Sequence, residues 1–127
     1  NLTARNNLAA ICALTTTQLA RAMSAIEGAI GDAGPSAAFL DTRGLVHMAS
    51  GRLDAAEADF RKAIELAGKA TYHFHLAQNL VSQERFTDAV KSLRFAEKTL
   101  NVDALLPIER ETLHRLNETV QANVTSN

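Results

Sequence analysis

Four histidines and one cysteine are the side chains best suited to hold a metal or drive a nucleophilic reaction. His73 and His75 are two residues apart. On a helix that spacing turns them about 200° from each other, so they cannot share one ion. His47 and His114 each stand alone in their segments. A structural zinc site wants three or four converging ligands, and no such cluster is written here. Cys12 lies in Leu8-Ala-Ala-Ile-Cys-Ala-Leu14, an apolar run without the basic or histidine neighbour that makes a thiolate. It reads as a buried, inert thiol. Cys12, His47 and Asp41 could be imagined as a triad, but no nucleophile motif surrounds them. Gly34-Pro35 is chain punctuation rather than a phosphate loop. The sequence predicts no catalytic residue, no metal and no cofactor, so the chain is expected not to be an enzyme.

Composition narrows the classes further. The 127 residues suffice for one continuous core. Hydrophobic residues make up 46% of them, mostly Ala, Leu and Ile, with no Trp. Ala and Leu favour helices, and Ala lets helices approach closely. That profile predicts an all-α domain. The 13 basic and 14 acidic residues leave a net charge of −1. No basic stripe is present to attract a phosphate backbone, and no basic amphipathic segment to lie on a membrane. No apolar run approaches the roughly 18 residues a membrane span needs. Three tripeptides, Asn1-Leu-Thr3, Asn117-Glu-Thr119 and Asn123-Val-Thr125, match a glycosylation acceptor pattern that is frequent by chance. The chain begins at Asn1 rather than Met, which suggests a piece of a longer protein or a processed form.

One pattern is written twice between Ala38 and Lys98. Phe39–Gly51 lies over Tyr72–Glu84, and Arg52-Leu-Asp-Ala-Ala56 over Arg85-Phe-Thr-Asp-Ala89. Phe60 then falls on Leu93 and Ala63 on Ala96, each 33 residues on, as Ala56 falls on Ala89. A weaker copy precedes them, in which Ala22, Ile26 and Ala29 match Ala56, Phe60 and Ala63 at a step of 34, and Ala10 matches Gly44. A fixed period of this size marks a stack of helical hairpins. Small residues at Gly44, Ala56, Ala63, Ala77, Ala89 and Ala96 sit where two helices come close. Phe60 and Leu93 fill the space beside them.

These residues resemble the tetratricopeptide repeat, read here as Leu40-x-x-Arg43-Gly44-x-x-His47 followed by Ala56-x-x-x-Phe60-x-x-Ala63. The resemblance covers roughly residues 3–103. It implies an all-α, right-handed superhelix of three helical hairpins, of the kind found in bacterial arrays joined to larger proteins. The expected repeats are 3–36, 37–69 and 70–103, closed by a capping helix over 104–120, all in one domain 1–127. Helices are expected at 3–14, 18–30, 36–50, from about 53 to Ala67, 71–83 and 87–100. Thr15-Thr-Thr17 and Gly51 make turns, and Gly31-Asp-Ala-Gly-Pro35 stops the second helix. Ser36 is a candidate N-cap. Pro107 suits the first turn of the last helix, whose Ile108, Thr112, Leu113, Leu116 and Val120 share one face. Residues 121–127 are expected to fray.

The resemblance also implies where a partner would bind. In such domains the first helix of each hairpin lines a concave groove. Transferring the repeat positions places Asn7 and Ile11 there, then Asp41, Leu45 and Met48, then Phe74, Gln78 and Val81. The family's basic clamp for acidic chain ends is missing, because these positions are not cationic. The eight residues predict a partly apolar groove for a peptide, a protein or a neighbouring domain, with Leu45, Met48, Phe74 and Val81 at least partly accessible. Asp41 and Arg43 have two readings, local pairing and helix-end hydrogen bonding within the fold, or contact with a bound partner. The alternative function is self-association or a spacer without a ligand. The chain is expected to be a monomer or weak homodimer, with no nucleic-acid or membrane partner.

Overall fold

The computed structural model describes residues 1–124. Among them are seven α-helices and one short 3₁₀ turn: α1 (Leu2–Leu14), α2 (Leu19–Ala33), α3 (Ala37–Ala49), α4 (Leu53–Ala67), α5 (Ala70–Ser82), α6 (Phe86–Thr99), the turn Val102–Ala104 and α7 (Pro107–Val124). The all-α architecture expected from composition and period is what forms. No helix among the described residues is long and apolar enough to cross a membrane.

The helices group into two compact units. Asn1–Gly68 holds α1 to α4, and the second unit begins at Lys69 and holds α5 to α7. In the first unit α1 packs on α2 and α3 on α4, while α3 also packs on α1 and α2. Links of a few residues make each pair an antiparallel hairpin. The core is built from the small residues and their large partners: Ala22, Ile26, Ala29, Leu40, Val46, Ala56, Phe60 and Ala63 are all buried. In the second unit α5 packs on α6, and α7 packs on both. Its core holds Ala77, Leu80, Ala89, Leu93 and Ala96, joined by Leu113, Leu116 and Val120 from α7.

Capping chemistry explains most boundaries. Asn1 Oδ1 accepts from Ala4 N at 3.0 Å, and Ser36 Oγ from Phe39 N at 3.2 Å, as an N-cap should. The α2 helix runs on through Gly31 to Ala33 and stops only at Gly34, whose φ of 87° ends it. The expected stop at Gly31 was too early, because a helical glycine alone weakens a helix without ending it. Pro107 opens α7 as expected. That helix continues to Val124, so residues 121–124 are helical rather than frayed. Residues 125–127, where the expected fraying continues and the Asn123-Val-Thr125 pattern ends, lie outside the described residues.

The turns of the second and third hairpins are copies of each other. Arg52 N donates to His47 O and Arg85 N to Leu80 O, both at 2.9 Å. This closure needs a left-handed residue just before the arginine. Gly51 supplies it at φ 81°, and Glu84 supplies it at φ 60° with a side chain attached. A non-glycine residue there carries strain on the order of 1 kcal/mol. Glu84→Gly should therefore raise the unfolding free energy by roughly 0.5–1 kcal/mol in urea titrations. A loss of stability would contradict the shared turn geometry.

Candidate functional site

In the first unit the polar residues of α3 serve the fold. Arg43 donates from Nε and one amino group to both oxygens of Asp59 on α4, at 2.8 and 2.9 Å. Asp59 is buried and Arg43 half-buried. A bidentate pair of this kind is strong and directional. The pair raises the Arg43 pKa, chiefly through the Asp59 hydrogen bond. His47, one turn on, accepts from Arg52 Nε through Nδ1 at 3.1 Å and turns Nε2 toward Asp59, 3.8 Å away. Burial lowers its pKa, so the imidazole is neutral at pH 7. Arg43 is thus paired within the fold, with Asp59 of α4.

The signal for that pairing was legible. In the next repeat Arg43 becomes Leu76 and Asp59 becomes Ser92. Both polar departures fall in the same hairpin, one on each helix.

The eight expected groove residues have different fates. Asn7 and Ile11 are exposed on α1, beside an equally exposed Leu8. Asp41 is buried at 7% exposure. Leu45 and Phe74 are buried at 4% and 1%, so the expectation that they would be partly accessible fails. The reason is crowding: α3 has α1, α2 and α4 as neighbours, and α5 has α6 and α7. An apolar side chain on a helix surrounded in this way becomes core. Met48, Gln78 and Val81 are half-buried.

Gln78 and Val81 come together in the second unit. With Ser82 they form the α5 wall of a cleft of about 270 Å³, opposite Thr112, Arg115, Leu116 and Thr119 of α7. Val81 and Leu116 are its apolar members. Ser82 Oγ donates to Gln78 O at 3.2 Å and Thr112 Oγ1 to Ile108 O at 2.8 Å. Their protons are spent on the helices, which leaves hydroxyl lone pairs to accept. Arg115 is the single cation, with Glu111 3.5 Å away on the same helix.

A buried polar contact joins the walls of this cleft. His75 of α5 is 3% exposed, and its Nε2 lies 3.3 Å from Glu109 Oε2 of α7. A carboxylate only accepts, so the imidazole N–H is the donor. The other Glu109 oxygen accepts from Leu106 N at 3.3 Å, capping the start of α7. The His75 contact holds the Glu109 carboxyl below its usual range, against the opposing effect of burial. Sequence reasoning left His75 without a role, because its partner lies 34 residues away on the last helix. The other neighbouring histidine, His73, stacks on Phe95 of α6 at 4.0 Å. Among the described residues, no group of three or more His, Cys, Asp and Glu side chains could hold a metal ion.

The family model for the tetratricopeptide repeat matches residues 37–69, the span of α3, its turn and α4. Residues 37–69 are a tetratricopeptide repeat, and the seven helices give the chain a fold of tetratricopeptide type. Its fold is similar to that of the Yersinia enterocolitica type III secretion chaperone SycD, solved in complex with a peptide of the translocator YopD. The two superpose with a TM-score of 0.74 over 98% of this chain and 93% of that one, at 17% sequence identity. No curated protein sequence matches the chain. The repeat at residues 37–69 supports a protein-interaction scaffold in general.

The buried pair of the matched repeat can be tested by exchanging it for its counterpart. Asp59→Ala strands Arg43 and should cost about 2–4 kcal/mol. Arg43→Leu with Asp59→Ser, the residues of the next repeat, should recover most of that loss. Thermal and urea unfolding of the three chains decides it, and equal losses in both variants would show that the pair is not the reason for the cost.

Proposed function

We propose that this tetratricopeptide-type domain is a non-enzymatic scaffold whose partner-binding face includes the α5–α7 cleft. The occupant is an extended, largely apolar segment of a peptide or protein. The observation that carries this reading is the cleft of about 270 Å³ in which Gln78 and Val81 face Thr112, Leu116 and Thr119. Val81 and Leu116 supply apolar contact. Around them, hydroxyl oxygens with spent protons suit the backbone N–H groups of an extended chain. SycD, which shares the fold, was solved with a peptide of YopD. A peptide ligand of this chain is an extension of that likeness.

A second reading, a spacer or self-associating module without a ligand, is favoured by the burial of Leu45 and Phe74. Two of the four apolar side chains meant for a partner are already used by the fold.

The readings separate in one experiment. Random peptides displayed on phage are selected on the full chain, and the enriched sequences are made synthetically. Val81→Asp should weaken their binding by about tenfold or more, while Arg61→Ala, at an exposed position of α4, leaves it unchanged. Apolar contact also predicts affinity nearly constant from about 50 to about 500 mM salt. No enrichment, or peptides indifferent to Val81→Asp, would favour the spacer.

A further inference from the structure

The second helices of the two matching hairpins, α4 and α6, carry their charges differently. On α4 the exposed cations are answered within the helix. Arg61 Nε lies 2.9 Å from Glu57, and Lys62 Nζ lies 3.4 Å from Glu65. One repeat later Arg61 is kept as Arg94, but Glu57 becomes Val90 and Glu65 becomes Lys98. Ala58 becomes Lys91 and Lys62 becomes Phe95. The five positions hold two acids and two cations on α4, and three cations and no acid on α6. Lys91, Arg94 and Lys98 are exposed, and among the described residues none of them has an ion-pair partner. Lys98 lies in the last turn of α6, where a cation offsets the helix dipole. Lys91 and Arg94 have no such local role. The net charge of −1 over the whole chain hides this local excess.

Apolar surface lies beside these cations. Phe95 stands among them, 50% exposed and stacked on His73. Toward α7, a cleft of about 170 Å³ is lined by Val90, Leu93 and Arg94 of α6 and by Val120 and Val124 of α7. Leu93 and Val120 are buried and form its floor. Glu97 is the one acid in its lining, and the far wall carries the neutral amides Asn117 and Gln121. One flank is therefore cationic, the other neutral, and the space between them apolar.

We propose that this face of α6, with the cleft beside it, binds an acidic amphipathic helix of a partner protein. Lys91, Arg94 and Lys98 follow the spacing i, i+3, i+7 and span about 10 Å of helix. A helix laid antiparallel along α6 matches that rise with acids at i, i+4 and i+7, one for each cation. Its apolar stripe then enters the cleft between Val90 and Val124, the usual way a helix docks in a groove. A phosphate backbone fits less well. It would meet only three cations, so few counterions are released, and it brings no apolar face to the cleft. A lipid surface calls for clusters of about four to eight cations. This site goes beyond the proposed function. It lies on the α6 side of α7 rather than the α5 side, and its response to salt is the opposite.

The probe is a synthetic peptide of about 18 residues, long enough to approach a stable helix, with Glu at i, i+4 and i+7 beside a stripe of Leu. Its control carries Gln in place of the three Glu. Titrated into the isotope-labelled full chain, the Glu peptide should shift NMR amide signals of α6 and of the α7 side that faces it. It should bind about tenfold tighter than the Gln peptide, or better, and raising salt from about 50 to about 500 mM should remove most of that advantage. Lys91→Glu with Lys98→Glu, both at exposed positions, should weaken the Glu peptide by a similar factor and let a Lys version of it bind instead. Amide spectra show that the variant keeps its fold. Val81→Asp, in the α5–α7 cleft, should change none of this, so failure here is distinct from failure of the proposed function. A Glu peptide that leaves α6 unshifted, equal binding of the Glu and Gln peptides, or indifference to the double charge reversal overturns the proposal. So does a chain that ignores the peptide and instead binds a short DNA duplex or phosphatidylserine vesicles through Lys91 and Lys98.

Discussion

The approach of α3 to α4 at Gly44 is the constraint on which the rest of the first unit depends. A methyl group on Gly44 would lie 2.5 Å from Phe60 Cε1 and 2.8 Å from Cδ1. Nothing larger than hydrogen fits there while the Phe60 ring keeps its place. The ring is fully buried, so its position fixes how deeply α4 sits against α3. The same two positions in the other hairpins hold Ala10 with Ile26 and Ala77 with Leu93. The smaller the large partner, the larger the small one. Steric volume is conserved across the contact while the residues change, as close-packed interiors require.

The polar residues that interrupt this packing follow one logic. Arg43 stands where the next repeat has Leu76, beside the glycine contact, and its charge is tolerated because Asp59 answers it with two hydrogen bonds. His75 is buried on the second unit's first helix, and Glu109 answers it from the last. In each case a buried polar group is matched by a group on a neighbouring helix. The two contacts differ in what they hold. The arginine pair joins the two helices of one hairpin, α3 and α4. The histidine contact joins α5 to α7, outside the α5–α6 hairpin.

Much of this was legible in the sequence because a repeat states its fold more than once. The 33-residue step from Ala56 to Ala89, and from Phe60 to Leu93, identified the hairpins. Gly51, Ser36 and Pro107 placed their ends within a residue or two. The extent of α2 was missed because Gly31 looks like a stop and is tolerated inside the helix. The site was less legible. Periodicity tells which face of a helix is apolar, but not how many neighbours share it, and so Leu45 and Phe74 were read as surface. Gln78 and Val81 belong to a cleft because α7 lies across from them, and α7 meets α5 through residues far apart in the chain, among them His75 and Glu109.

The size match at the α3–α4 contact is most directly tested by a double-mutant cycle in the full chain, measured by urea unfolding. Gly44→Ala alone should cost roughly 1–3 kcal/mol by forcing Phe60 aside. In a Phe60→Leu background, which reproduces the small-with-medium pairing of Ala77 and Leu93, the same substitution should cost little or nothing. The coupling between the two sites should then account for most of the single-variant loss. Strictly additive effects would mean that the Phe60 ring does not set the approach of the two helices.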